Sequence, residues 1–478
     1  FFIATGLIEA IWGFRQLQGW AYSNHSLFRL TGSFFNPGPY SGYLAITLPV
    51  ALGILLEQSK RNMPYYLSMG CIGTAIVVLP AGMSRSAWIA VVVSCAWVYA
   101  LYRLDRKQAA TRLRQHKRWY IIGGILGGIL LLGGSASLYT LKKDSADGRF
   151  LMWKITTKAI QKQPITGTSL GGFPAAYAET QAEYMASGKA TEQEKLVAGC
   201  PEYAFNEYLQ IGLEQGLVGL ALFIGWLGLL FYKGIKNKRY ACCGGLMSLA
   251  IFAFSSYPLQ LPEFWVVLIF LGVMSVTPDK DEIRENQAES NGHRWGKQIF
   301  FMGIAILGIG LFWMQKDHYK AYQQWNKAQM FYNNKAYEAA LEVYEPLYPL
   351  LKHKPEFLFE AAQSLSKTGQ YEKANEYLER AVLLSSDPML YYVMAKNEQC
   401  LGEYRQAEKH LLHAIDILPE RIYPYYLLMN LYTEPSYFQP AKLKMAIDSV
   451  LTKKPKVESS AIKEMKEKAR SMLNNTSI

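Results

Sequence analysis

Seven stretches of this chain contain no Asp, Glu, Lys or Arg: Leu30–Leu56, Asn62–Ser84, Ser86–Tyr102, Trp119–Leu141, Gln215–Tyr232, Tyr240–Pro262 and Gln298–Gln315. A helix that crosses the hydrocarbon core of a bilayer needs about 20 mostly apolar residues, and most of these runs are long enough. Backbone groups in lipid have no water to bond, so helices are the form such runs must take. Charged residues make up only 18% of the chain; a soluble domain of this size carries about a quarter. These features exclude a soluble cytosolic enzyme, a secreted disulfide scaffold and a disordered chain. The expected fold is all-α, a polytopic transmembrane bundle. Because Phe1 lies within an apolar stretch, Phe1–Phe14, and is not Met, we expect a fragment with helices missing upstream.

Nine membrane segments are expected, at about 1–14, 41–56, 64–83, 86–102, 119–141, 206–232, 241–257, 263–276 and 298–314. Basic residues mark cytoplasmic loops. Lys60 and Arg61 stand in one loop and seven cations, Arg103 to Arg118, in a second. Lys233, Lys236, Lys238 and Arg239 stand in a third. These loops fall on one side in the nine-segment count, which places loops 15–40, 84–85, 142–205 and 258–262, and all that follows residue 315, on the opposite face. In a bacterium with two membranes that face is periplasmic, and the location implied is the inner membrane. Loop 142–205 is too long for a plain connection, and such loops are usually functional. The net charge of +12 reflects loop placement; no basic run interleaved with aromatics suggests a nucleic-acid partner. None of the six cysteines stands at metal-ligand spacing, so no metal site is expected.

The tail, 321–470, differs from the membrane region, 1–314. It is charged, rich in tyrosine and helical in period. Tyr337-x-x-Ala340, Tyr371-x-x-Ala374 and Tyr404-x-x-Ala407 recur at spacings of 34 and 33 residues, and Gly369 and Gly402 hold the register. Ala374, Leu378 and Ala381 match Ala407, Leu411 and Ala414. A period near 34 with small residues at helix crossings resembles tetratricopeptide repeats. About three repeats are expected over 321–420 and one degenerate helix pair over 421–470. Stacked helix pairs make concave surfaces for partners, so a protein partner is expected on this tail.

Chemistry is expected on the outer face. Arg85 is the lone charge between Asn62 and Tyr102, and an arginine at membrane depth marks a functional pocket when it is not an interfacial anchor. Arg149 follows Asp147-Gly148 just outside the next helix. Two guanidinium groups there suit a lipid diphosphate, since they bind phosphate oxygens in pairs and never lose charge. The Gly-rich turn from Gly167 to Pro174 lacks the Gly-Lys-Ser/Thr of a nucleotide loop. Glu202, Glu207 and Glu214 enter the next helix, either complementing its dipole or supplying a general base.

In this order the elements resemble the O-antigen ligase family, bacterial membrane glycosyltransferases of the GT-C-like class, and the related O-oligosaccharyltransferases. The likeness rests on Thr31 to Leu44 with its Asn36-Pro37 turn, on Ser84-Arg85-Ser86, and on Gly148-Arg149-x-x-x-Trp153. It also rests on Asn206-Glu207-Tyr208-Leu209-Gln210 followed by Glu214-Gln215-Gly216-Leu217-Val218-Gly219. The resemblance implies an enzyme that transfers an undecaprenyl-diphosphate-linked glycan, without metal, nucleotide or other cofactor. The acceptor hydroxyl would belong to lipid A core or to a protein Ser/Thr. Arg85 and Arg149 would hold the diphosphate, with Asn36 and Asn206 as further substrate contacts. The family's acceptor-activating histidine is matched here by Phe205, which cannot take a proton. Glu207 is then the first candidate base, with Glu202 and His25 as alternates. A lipid-linked repeat-unit polymerase of the same superfamily and a non-catalytic membrane scaffold displaying the repeats are the competing readings.

Overall fold

The computed structural model describes residues 1–58, 61–105, 143–278, 294–455 and 457–475. The expected segment 119–141 lies outside them. All regular structure among the described residues is helical. In chain order the first helices are α1 (Phe2–Leu17), α2 (Pro37–Glu57), α3 (Met63–Val78), α4 (Arg85–Asp105), α5 (Lys143–Lys162), α6 (Phe173–Ala186) and α7 (Glu192–Val197). Then come α8 (Glu207–Glu214), α9 (Gly216–Lys236), α10 (Tyr240–Ala253), α11 (Pro262–Val276) and α12 (Arg294–Met314).

The tail adds α13 (Lys316–Asn333), α14 (Tyr337–Leu351), α15 (Pro355–Lys367), α16 (Tyr371–Val382), α17 (Met389–Cys400) and α18 (Tyr404–Ile417). It ends with α19 (Ile422–Leu431), α20 (Pro440–Thr452) and α21 (Ser460–Asn475). Two compact units result: Phe1–Arg149 with Pro164–Gly167 and Tyr203–Glu289, and Phe150–Gln163 with Thr168–Glu202 and Ser290–Ile478.

The first unit is built around α2. Asn36 caps this helix, its Oδ1 accepting from the Gly38 N–H at 3.0 Å, and Pro37 opens the first turn, where a missing N–H costs nothing. Tyr40, Leu44, Ala45 and Ile46 are fully buried. Gly244 lets α10 approach α2 and α4, since a Cβ there would stand 2.2 Å from Val98 and 3.1 Å from Pro49. Ser248 Oγ donates to the Ala45 carbonyl at 2.7 Å. Small residues at crossings and hydroxyl bonds between helices are how apolar helices associate in lipid. Among the described residues four helical segments are long and apolar enough to cross a membrane: Pro37–Glu57, Met63–Gly82, Arg85–Asp105 and Gly216–Lys236. The chain is a membrane protein.

The expected segment 206–232 is two helices rather than one. Gly216 has φ +70°, and Leu217 donates its N–H to the Pro164 carbonyl at 2.8 Å. Apolar residues stand on both sides of Glu214-Gln215, and hydropathy joined them into one expected segment. A Cβ on Gly216 would fall 2.0 Å from the Ile165 carbonyl oxygen, and one on Gly167 2.5 Å from the Glu214 backbone. The two glycines thus interlock the chain on either side of loop 168–202.

In the second unit Tyr337, Tyr371 and Tyr404 each begin the second helix of a pair, and Ala340, Ala374 and Ala407 are fully buried at the crossings. Gly369 and Gly402 hold φ of +81° and +80° in the turns before those helices. Lys335 stands 34 residues before Gly369 and holds φ +60°. Beyond the three expected pairs, α19 and α20 form a fourth, and α21 adds a helix that the expected single pair over 421–470 did not include. Helix α6 of loop 142–205 packs within this unit: the Gln181 carboxamide donates to Gly199 O at 3.1 Å and Ile417 O at 2.9 Å.

Candidate functional site

Arg85 and Arg149 line one cavity of about 260 Å³ in the first unit. The chain reaches Arg85 through a 3-10 turn, Leu79–Gly82, and then Met83, which holds φ +47°. Gly82 permits this turn to sit on α2, because a Cβ there would lie 2.1 Å from Ser41 Oγ. Trp88 fixes the geometry from α4 by donating its indole N–H to the Leu79 carbonyl at 3.1 Å. Asn36, Pro37 and Gly38 from the start of α2 line the same cavity, as do Ser84 and Ser86 from the start of α4. Two helix N-termini therefore meet there, and the positive ends of their dipoles favour negative charge; at α2 this is the dipole alone, since Pro37 and Pro39 have no N–H and the Gly38 N–H is bonded to Asn36.

Arg149 arrives from α5. Its Nη1 donates to the Ser255 carbonyl at 2.9 Å, and its guanidinium lies 5.2 Å from the centre of the Phe205 ring. The Tyr257 ring meets Phe205 edge-on at 4.8 Å and stacks on Tyr203 at 5.3 Å. Burial lowers the pKa of Arg149 from its ordinary value and the nearby Arg85 charge lowers it further, while Tyr257 opposes them. Two cations close enough to act on each other are held together at the cavity. Arg29 also lines it, and no carboxylate appears among the described lining residues. Met83 and Phe205 both hold left-handed backbone (φ +47° and +49°) without being glycine; such conformations cost about 1–3 kcal/mol and gather at functional sites.

The remaining candidates stand elsewhere. Asn206 is buried and caps α8, accepting from the Tyr208 and Leu209 N–H groups at 3.1 Å each. Glu207 lies on α8, ahead of the spanning helix, and is buried. Its Oε1 accepts from the Leu259 N–H at 2.6 Å and its Oε2 from Gln260 Nε2 at 2.9 Å. Burial pushes its carboxyl up to about 7; the bonds from Gln260 and Leu259 oppose the rise, and the Glu214 charge adds to it. Glu202 belongs to the second unit and lines a cavity of about 730 Å³ there with Glu356, Asp387 and Arg421. His25 Nδ1 accepts from the Leu27 N–H at 3.0 Å, with its ring against Phe28. Sequence reasoning missed Arg29, Tyr203 and Tyr257. Arg29 stood in the expected outer loop 15–40 and Tyr257 at the end of the expected segment 241–257, next to the outer loop 258–262; that position was the only signal for them. Among the described residues no group of three His, Cys, Asp or Glu side chains could hold a metal ion.

Comparison with known families gives two partial matches. The O-antigen ligase family model matches residues 70–224, which include Arg85, Arg149, Phe205 and Glu207. The model of the anaphase-promoting complex, cyclosome, subunit 3 matches residues 333–414. No curated protein matches the chain. Among solved structures, the crystal structure of MamA protein is similar at 17% identity with a TM-score of 0.27, covering 32% of this chain and 88% of that one. A MamA double mutant is similar at 20% identity and a TM-score of 0.27, covering 33% and 97%. Residues 70–224 are thus similar to the O-antigen ligase family, and they lie in a membrane protein whose tail is a tetratricopeptide-like repeat.

Proposed function

We propose that this protein is a glycan ligase of the bacterial inner membrane. It moves an undecaprenyl-diphosphate-linked oligo- or polysaccharide onto an acceptor hydroxyl, of lipid A core or of a protein Ser/Thr, at the periplasmic face. The observation that carries this reading is the gathering of Arg85 and Arg149 in one cavity at two helix N-termini. In the reaction the acceptor oxygen bonds to the anomeric carbon, the bond from that carbon to the diphosphate oxygen breaks, the electron pair leaves with the diphosphate, and the hydroxyl proton passes to the released diphosphate or to water. Charge builds on the leaving group, and preorganised guanidinium donors aimed at it are the largest contribution expected.

Phe205 and Tyr257 hold Arg149 in place in this scheme. Glu207 acts as a positioning residue: its carboxylate ties the Leu259–Gln260 turn, two residues beyond Tyr257. Asn36 and Asn206 keep the helix starts in register, and Asn36 reaches the donor cavity. The repeat tail, on the same periplasmic side, recruits a protein partner.

Reconstitution with purified lipid-linked glycan tests the scheme. Arg85→Ala or Arg149→Ala should each lower transfer by about 10²–10³-fold, the loss typical of removing one such donor, with normal insertion in the membrane. Transfer at the wild-type rate by both variants would overturn the site. In a deletion strain the ligase reading expects long lipid-linked glycan to accumulate. Single repeats would instead identify a polymerase.

A further inference from the structure

The loop between α1 and α2 carries more internal bonding than an outer connection needs, and it delivers a third cation to the cavity. At its base stands Gln16, on the last turn of α1 and 2% exposed. Its Nε2 donates to the carbonyls of Tyr22 at 2.9 Å and Gly32 at 3.0 Å. Its Oε1 accepts from the N–H groups of Thr31 at 2.9 Å and Gly32 at 2.8 Å. One buried carboxamide therefore closes the loop from both ends, using both of its donors. Asn24 adds bonds to the Ser33 and Phe34 carbonyls at 3.0 and 3.1 Å, and Gly32 takes φ +57° where a Cβ would strike Tyr40 and Glu9.

Phe28, Arg29 and Leu30 sit on the span so fixed, and all three line the cavity of Arg85 and Arg149. Arg29 is exposed at the rim, and among the described residues it makes no hydrogen bond or ion pair. A charge on a long side chain is normally left on a mobile loop; this one is set on a braced loop and faces two like charges.

We propose that Arg29 is a third phosphate contact, that it makes this site select a diphosphate over a monophosphate, and that Gln16 is the residue that positions it. This rests on the reading of Arg85 and Arg149 as the donor site. Two phosphoryl groups offer oxygens enough to engage three guanidinium forks, whereas one phosphoryl group is satisfied by two. The third cation therefore adds affinity only when the second phosphoryl group is present.

The test measures binding to the full chain in nanodiscs with three probes: farnesyl diphosphate, farnesyl monophosphate and inorganic pyrophosphate. Wild type should bind farnesyl diphosphate at least tenfold more tightly than the monophosphate. Arg29→Ala should weaken diphosphate binding about tenfold and leave monophosphate within about twofold, and Arg29→Lys should recover part of the loss. Gln16→Ala, which keeps Arg29 but cuts the brace, should lower the same ratio. An unchanged diphosphate-to-monophosphate ratio in Arg29→Ala overturns the proposal, whatever Gln16→Ala does. If Arg85→Ala and Arg149→Ala also bind both lipids normally, the donor-site reading falls with it. If only Arg29→Ala is silent, that reading stands and the third contact is wrong. Pyrophosphate binding as tight as farnesyl diphosphate would keep Arg29 as a diphosphate contact and remove the lipid as its source.

Discussion

Phe205 stands, at the scale of one residue, where the resemblance to the O-antigen ligase family expects a histidine. A face of the ring supports the Arg149 guanidinium, an attraction of about 0.5–2 kcal/mol that a histidine would forfeit on gaining a proton. Glu207, two residues on, gives a prediction with a definite sign. Burial raises its pKa to about 7, so the folded chain keeps a proton that the unfolded chain releases in the ordinary carboxyl range. Between those two values the native state binds more protons. The Glu207 contribution to stability must therefore fall as pH rises through that window and level off above about 7. Glu207→Gln removes the titration. Its melting temperature relative to wild type should climb from pH 5 to pH 7.5, by the equivalent of about 3 kcal/mol at most. Parallel melting curves across that range would show that Glu207 is not held in this environment. That Arg85 and Arg149 share a cavity was foreshadowed in the sequence because each is a charge beside a long apolar run. Arg29 and Gln16 were not, because a braced loop and an unbraced one have the same composition; only the bonds that Gln16 makes to the loop distinguish them.

At the scale of elements, the repeat was the most legible feature and its turn explains why. Each Tyr-x-x-Ala begins a helix only after the chain has passed through left-handed backbone, which glycine adopts without cost and other residues do not. Gly369 and Gly402 meet that demand; Lys335, at the same turn of the first pair, does not. Lys335→Gly should therefore stabilise the protein and Gly369→Ala destabilise it, each by about 1 kcal/mol. Thermal unfolding followed by the helical signal would detect both, and equal shifts of the same sign would contradict the shared turn. The joint between α8 and α9 was illegible for the opposite reason. Gly216 at the joint and Gly167 opposite it carry no local pattern, and what makes them necessary is the backbone of Ile165 and Glu214, some 50 residues earlier for one and later for the other. Close approach between distant segments leaves no periodic trace.

At the scale of the whole molecule, hydropathy separated membrane from soluble sequence but could not say which soluble segments belong together. Loop 168–202 groups with the tail because α6 lies on α18. Gln181, fully buried, is bonded to a carbonyl 236 residues away; Phe173, Tyr177 and Ala182 are buried with it; and His413 pairs with Glu179 at 3.5 Å. Removing everything after Gln315 would strip this helix of its cover and leave a buried amide donor unsatisfied, at about 1–3 kcal/mol. Trypsin should then cut at Lys189 and Lys195 at least tenfold faster than in the full chain. The cavity of Arg29, Arg85 and Arg149 lies wholly within the first unit, so farnesyl diphosphate binding by the same truncated chain should stay within about twofold of wild type. Protection of both lysines after truncation would mean that the tail is not what orders the loop. A parallel loss of diphosphate binding would mean that the donor cavity, although built from one unit's residues, depends on the other for its shape.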